Sequence, residues 1–183
     1  MSVGIDAVDQ AGGIAIVRLR SRSDSNELGR VVSCWRSLQS DPTIRAVGAV
    51  IVSDDFGAAI GPDACGQVTI APKSSGLLKP FGVGLHGNVF DYALQLIGEA
   101  DTVVAVGDTR IADTTLRRGI TSAHAAWLRG SLPDEEINRL TLLGPSGAIT
   151  ATRALELGLV DEIVGVDALE GALVRRLLRF SGG

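Results

Sequence analysis

Within KPFGVGLHGNVFDYALQLIGEADTVVAVGDTRIADTTLRRG, residues Lys79 to Gly119, the polar side chains fall at intervals that could support proton chemistry. Asp91, Gln95 and Glu99 recur every four residues, which on a helix places them on one face. Asp113 and Thr115 lie two apart, a spacing that keeps side chains on one face of a strand. A carboxylate held in such a group can move a proton next to a carbonyl or activate a water. Asp113 is therefore a candidate acid or base, and Glu99 is either a solvated helix-face residue or a displaced acid. The chain has two histidines. His124 is a further candidate base because imidazole titrates near neutrality, with a surface or capping role as the alternative. His86, in a strand-ending His-Gly pair, reads as structural. Arg20 and Arg22, near the end of an apolar strand, are candidates for phosphate contact and equally for a solvent-facing role. Cys34 and Cys65 are far apart and lack metal-ligand spacing, so they read as two thiols in a reducing compartment.

These groups need a frame. Ser2–Asp9 and Gly13–Arg20 read as strands joined by a turn at Gln10–Gly13, the second (GIAIVRLR) alternating and β-branched. Leu28, Val31, Val32, Trp35 and Leu38 give one apolar stripe, predicting a helix over 26–39. Asp24 or Ser25 can cap its start, and Asp41-Pro42 ends it. Arg45–Ser53 is an almost wholly apolar strand of the kind buried on both faces. Asp54–Gly76 is rich in Gly, Pro and Ser and is the longest irregular stretch. A strand over 81–86, a helix over 89–98 and a strand over 102–106 then repeat the β–α–β pattern, followed by a short strand near Asp108–Ile111. Helices are expected over Thr121–Gly130 and Asp134–Leu143. Thr150 caps a helix that stops at Gly158. A strand over Leu159–Val164 and an amphipathic helix over Ala168–Phe180 complete the chain.

The 183 residues suit one domain with a sizeable core, and the 45% hydrophobic and 21% charged contents are ordinary for a globular protein. The formal net charge of −4 gives no electrostatic footprint for nucleic acid. No apolar run approaches the ~20 residues that span a bilayer. The N-terminal MSVGIDAVDQ is not of the secretory type. A cytoplasmic protein with no membrane association is the expectation.

The segment TATRALELGLVDEIV resembles the "small-x-x-A-x-x-x-G-L-V-D-x-V" segment of the crotonase (enoyl-CoA hydratase/isomerase) superfamily. From that anchor other motifs align. Asn26 and Leu28 match a Leu-Asn-x-Leu helix start. Gly61 and Asp63 match an F-x-x-G-x-D loop. Lys79, Pro80 and Gly87 match a K-P-x-x-A-x-x-x-G strand, and Asp101 and Ala105 fall on the x-D-x-x-x-A strand. The resemblance covers roughly 13–178. It implies an α/β fold, a crotonase-like spiral of ββα units with surrounding helices. It also implies a single domain over 1–183 that lacks most of the usual C-terminal helical extension, a CoA-thioester pocket, and a homo-oligomer (trimer) or a partner of a larger complex.

For the site, the resemblance implies an oxyanion hole from the backbone N–H groups of Ile60 and Tyr92, with CoA contacts from Arg20, Arg22, Gly61 and Asp63. The family's Gly-Gly-Gly turn reads Asp91-Tyr92-Ala93 here, and three glycines would allow closer backbone approach. Its two catalytic carboxylates fall on Gln95 and Thr115, neither of which is a base near neutral pH. The expected function is an acyl-CoA-binding protein with lost or strongly reduced hydratase activity, an accessory subunit in acyl-CoA or polyketide metabolism. The alternatives are an active hydratase/isomerase using Asp113 or His124, and an interaction-only scaffold. No metal or cofactor is implied beyond a coenzyme A thioester as ligand. Spiral-fold serine peptidases are set aside because the equivalent turn holds no Ser.

Overall fold

A computed structural model describes residues 2–22, 27–56, 70–113 and 130–180. Among these described residues eight strands form one sheet: β1 (Ser2–Ala11), β2 (Ile14–Arg22), β3 (Ala46–Phe56), β4 (Phe81–Phe90), β5 (Thr102–Val106), β6 (Arg110–Ala112), β7 (Ile149–Thr150) and β8 (Glu162–Val164). The order is β1-β2-β3-β4-β5-β8, with β6 paired to β4 and to β7. Between and after them lie α1 (Glu27–Ser40), α2 (Tyr92–Glu99), α3 (Asp134–Leu143), α4 (Ala151–Glu156) and α5 (Leu169–Phe180). The capping candidates Asp24 and Ser25, and most of the helix expected over Thr121–Gly130, lie outside the described residues.

The hairpin β1–β2 is antiparallel, and β2, β3, β4, β5 and β8 run parallel, as apolar runs interleaved with helices require. One sheet face packs on α1 and α2. There Trp35, Phe81, Leu85, Leu94 and Leu96 are fully buried, and the rings of Trp35 and Phe81 meet edge to face at 5.9 Å. The other face takes α5, which lays Leu169, Ala172, Leu173 and Leu177 against Ile14, Ile16, Val50 and Val104. Close approach is possible because Gly48 and Gly82 floor that groove: a Cβ on Gly82 would come within 2.8 Å of Leu173 Cδ1.

Several sequence motifs acquire a physical role. Lys79 donates from Nζ to the carbonyls of Leu38 and Asp41, both at 2.6 Å, supplying the cation that the last turn of α1 lacks. Asp101 accepts the Phe81 N–H at 2.8 Å, while its own N–H donates to the Phe81 carbonyl at 2.7 Å. Asp161 of the Gly-Leu-Val-Asp segment repeats this one strand later. It accepts the Val103 N–H at 2.7 Å and the Thr102 hydroxyl at 2.9 Å, and donates its N–H to the Val103 carbonyl at 2.8 Å. Thr150 caps α4 through the Arg153 N–H at 3.3 Å, and Gly158 leaves that helix with φ +74°.

The helix expected from residue 89 begins later, at Tyr92, and β4 continues to Phe90. The physical reason is a change of partner. β4 pairs with β5 through Leu85, passes Gly87 at φ +79°, and then pairs with β6 from Asn88 to Phe90. Hydrogen bonding to β6 outweighs the helical periodicity of Val89 and Phe90. β8 is likewise shorter than the Leu159–Val164 expected.

Candidate functional site

The carboxyl end of β4 meets α2 at a sharp turn on Asp91. Its φ of 44° and ψ of −88° are rarely taken by a residue with a Cβ, at a cost of about 1–3 kcal/mol. The chain takes a glycine-like backbone here with an aspartate on it. The Asp91 N–H donates to the Ala112 carbonyl at 3.3 Å, tying the turn to β6. Asp91 is 2% exposed, and Tyr92, which follows as the first residue of α2, is equally buried. Tyr92, expected to supply an oxyanion-hole N–H, thus stands at the amino end of α2.

Asp113 is 0% exposed. Phe90 pairs with Ala112 in parallel register, so Asp91 and Asp113 each follow one member of the same pair and leave their strands side by side. This register, and not the two-residue interval to Thr115, places Asp113 next to the turn. Thr115, the second replaced carboxylate position, lies outside the described residues, as do His124, Ile60, Gly61, Asp63 and Cys65.

Gln95 is not directed to an open cleft in its described contact. Its Oε1 accepts the backbone N–H of Ile70 at 3.0 Å. One turn later the Glu99 carboxylate accepts the N–H groups of Lys73 at 2.6 Å and Ser74 at 3.2 Å, and the Ser74 hydroxyl. Gln95 and Glu99 do share a face of α2, which holds Ile70, Lys73 and Ser74, whereas Asp91, expected on the same face, precedes the helix at φ 44°. Sequence spacing exposed the face but not what lies on it, because the contacts come from residues more than 20 positions away. The fully buried Trp35, missed as a contributor, donates from its indole Nε1 to the Ile70 carbonyl at 2.9 Å.

Arg20 forms an ion pair with Asp6 at 2.8 Å on the β1–β2 hairpin, while Arg22 ends β2. His86 Nε2 is 3.3 Å from Asp108 Oδ2, and its buried Nδ1 has no hydrogen-bond partner among the described residues. Burial pushes the Cys34 thiol up. No group of three or more metal-ligating side chains occurs among the described residues. No described helix is long and apolar enough to cross a membrane. A cavity of about 230 Å³ lined by Asp101, Thr102, Ser131, Gly158 and Asp161 opens at the amino end of β5. That is the opposite end of the sheet from Asp91, so this cavity is separate from the turn.

No protein-family model matches the sequence, and no curated protein sequence matches it. Solved structures do match its fold. An enoyl-CoA hydratase from Mycobacterium tuberculosis superposes with a TM-score of 0.80 at 23% identity, covering 97% of this chain and 82% of that one. An enoyl-CoA hydratase/isomerase from Xanthobacter autotrophicus gives 0.79 at 18% identity, over 98% and 73% of the respective chains. One from Mycobacterium paratuberculosis gives 0.78 at 17% identity, over 96% and 75%. The chain has the α/β crotonase fold of enoyl-CoA hydratases and isomerases, as the motif resemblance implies. At these identities the likeness is one of fold.

Proposed function

We propose that the protein binds an acyl-CoA thioester in a crotonase-type site and has lost, or strongly reduced, hydratase activity. The observation that carries this reading is Gln95: at the position of the first family carboxylate stands an amide whose oxygen accepts from the Ile70 backbone. An amide does not take up a proton near neutral pH, and each missing acid–base group lowers the rate by about 10²–10⁴. The buried Asp91 beside the Tyr92 N–H supports the same reading, since it disfavours an enolate there. Such a protein suits an accessory role beside an acyl-CoA-metabolising enzyme. Titration calorimetry with crotonyl-CoA and butyryl-CoA should give saturable heat, while crotonyl-CoA hydration stays near the uncatalysed rate. Robust hydration that collapses in Gln95→Ala would sink the proposal.

A second reading is favoured by the parallel register that sets Asp113 beside Asp91. In it the family carboxylates are replaced by Asp113, with His124 as the alternative, and the protein turns over an acyl-CoA. Turnover abolished by Asp113→Asn would support it, and turnover indifferent to both Asp113→Asn and His124→Ala would end it. A scaffold without a ligand site predicts no saturable heat with any acyl-CoA.

A further inference from the structure

Arg175 and Arg176 are neighbours in the second half of α5 and share one partner on β8. Arg175 donates to Glu162 at 2.7 Å and Arg176 at 3.4 Å. Arg176 also turns to the sheet. Its Nε donates to the Thr102 hydroxyl at 2.5 Å, and that hydroxyl donates onward to Asp161 Oδ2 at 2.9 Å. The same Oδ2 accepts the Val103 N–H at 2.7 Å. Three side chains from α5, β5 and the segment ahead of β8 thus end on the first amide pair of β5.

The direction of this chain is fixed by what each group can give. A guanidinium only donates, and a hydroxyl has a single proton to pass on. With Arg176 donating to the Thr102 oxygen, the Thr102 proton is free for Asp161, and the charge at the head of the chain strengthens the bond behind it. Thr102 is 1% exposed, so water has little access to the middle of the chain, although Asp161 itself reaches solvent. Arg176 Nη2 stands 3.6 Å from Asp161 Oδ2, beyond hydrogen-bond reach. The hydrogen-bonded route between the two charges therefore runs through Thr102.

We propose that α5 acts as a strap whose docking tightens the clamp on β5: Arg176, working through the Thr102 hydroxyl, orients the Asp161 carboxylate that holds the Val103 N–H. The last turns of α5 and the start of β5 then loosen together as one local unit. Such coupling is reciprocal, so weakening the relay at β5 also loosens the end of α5. Thr102, Val103 and Asp161 line the cavity of about 230 Å³ at this end of the sheet, so lifting the strap loosens that wall as well. The proposal is independent of the acyl-CoA reading.

The test reads amide hydrogen exchange by NMR in the full chain. Arg176→Met should speed exchange at Val103 about fivefold. Arg175→Met removes the same charge from the same part of α5 and the same Glu162 partner but leaves the relay, and should keep Val103 within about twofold of the original. In a Thr102→Val background the effect of Arg176→Met should shrink below about twofold, because the relay is already cut. By reciprocity, Thr102→Val should also speed the amides of residues 177–180. An Arg176→Met effect that persists undiminished in Thr102→Val would overturn the proposal in favour of direct attraction across the 3.6 Å gap. Equal acceleration by the two arginine variants, or none by Arg176→Met, would overturn it too. Where only one of Thr102→Val and Arg176→Met folds, it decides alone. Thr102→Val must loosen 177–180, and Arg176→Met must exceed Arg175→Met at Val103; failure in either case ends the proposal.

Discussion

The amino and carboxyl ends of β4 are built on opposite principles. At the amino end, Asp101 receives the first amide of the strand and returns its own N–H to the same residue, and Asp161 does the same for Val103 on β5. Each carboxylate meets donors with ordinary backbone geometry, and each sits where the motifs place it. At the carboxyl end, Asp91 occupies a backbone conformation that a glycine takes more cheaply, with its carboxylate buried. Aspartate thus serves at one end as a clamp without strain and stands at the other in a strained turn.

The comparison is tested most strongly by cutting a clamp. Asp161→Ala should destabilise by about 2–3 kcal/mol, because it strands the Val103 N–H and the Thr102 hydroxyl, and Asp161→Asn should recover part of that loss in denaturant titration. A cost no larger than that of Gln95→Ala would erase the distinction between the two ends. Next, Gly82→Ala at the amino end of β4 should cost about 1–3 kcal/mol, since the new methyl meets Leu173, Thr102 and Leu177 within 3.1 Å. At the carboxyl end the sign should reverse: Asp91→Gly relieves the turn and should stabilise by about 1 kcal/mol in thermal melts. A destabilised Asp91→Gly protein would mean that the buried carboxylate contributes more through its contacts than the turn costs.

The smallest effect is a titration. Asp41, beyond α1 and ahead of β3, is held below its ordinary value of 3.8 by the Thr43 hydroxyl first, then by the Thr43 N–H, with the charge of Lys79 adding to the effect. A carboxylate whose folded pKa lies below its unfolded one stabilises the fold above the ordinary value, and that stabilisation is lost as pH falls through the folded value. Thr43→Val removes the main donor, so the Asp41 carboxyl resonance should titrate at higher pH, closer to 3.8 yet still below it. No upward movement would show that the N–H and Lys79 suffice.

The frame was legible in the sequence because its signals are local. Apolar runs with β-branched residues marked β2, β3 and β5. The stripe of Leu28, Val31, Val32, Trp35 and Leu38 marked the inner face of α1, and all but the half-buried Val32 are buried. Gly158 and Thr150 marked the ends of α4. The site was legible only as a set of positions. Helical spacing brought Gln95 and Glu99 to one face, whereas Asp113 comes beside the turn through the pairing of β4 with β6. Whether Gln95 faces a ligand or a peptide group depends on Ile70, 25 residues earlier, and no periodicity encodes that meeting. The boundary of α2 was misplaced for a related reason: Val89 and Phe90 suit either period, and the choice was made by β6.

The aspartate clamps also impose an order in time. The clamp on β4 closes over 20 residues, from Phe81 to Asp101, whereas the clamp on β5 spans 58, from Val103 to Asp161. Loop closure over the longer span costs about 1 kcal/mol more in chain entropy. A chain emerging from the ribosome can finish the amino end of β4 soon after Asp101 appears. The first amides of β5 stay open to water until the Gly-Leu-Val-Asp segment has been made. That segment works as the latch of the spiral, and a ribosome stalled before Asp161 would leave β5 without its clamp.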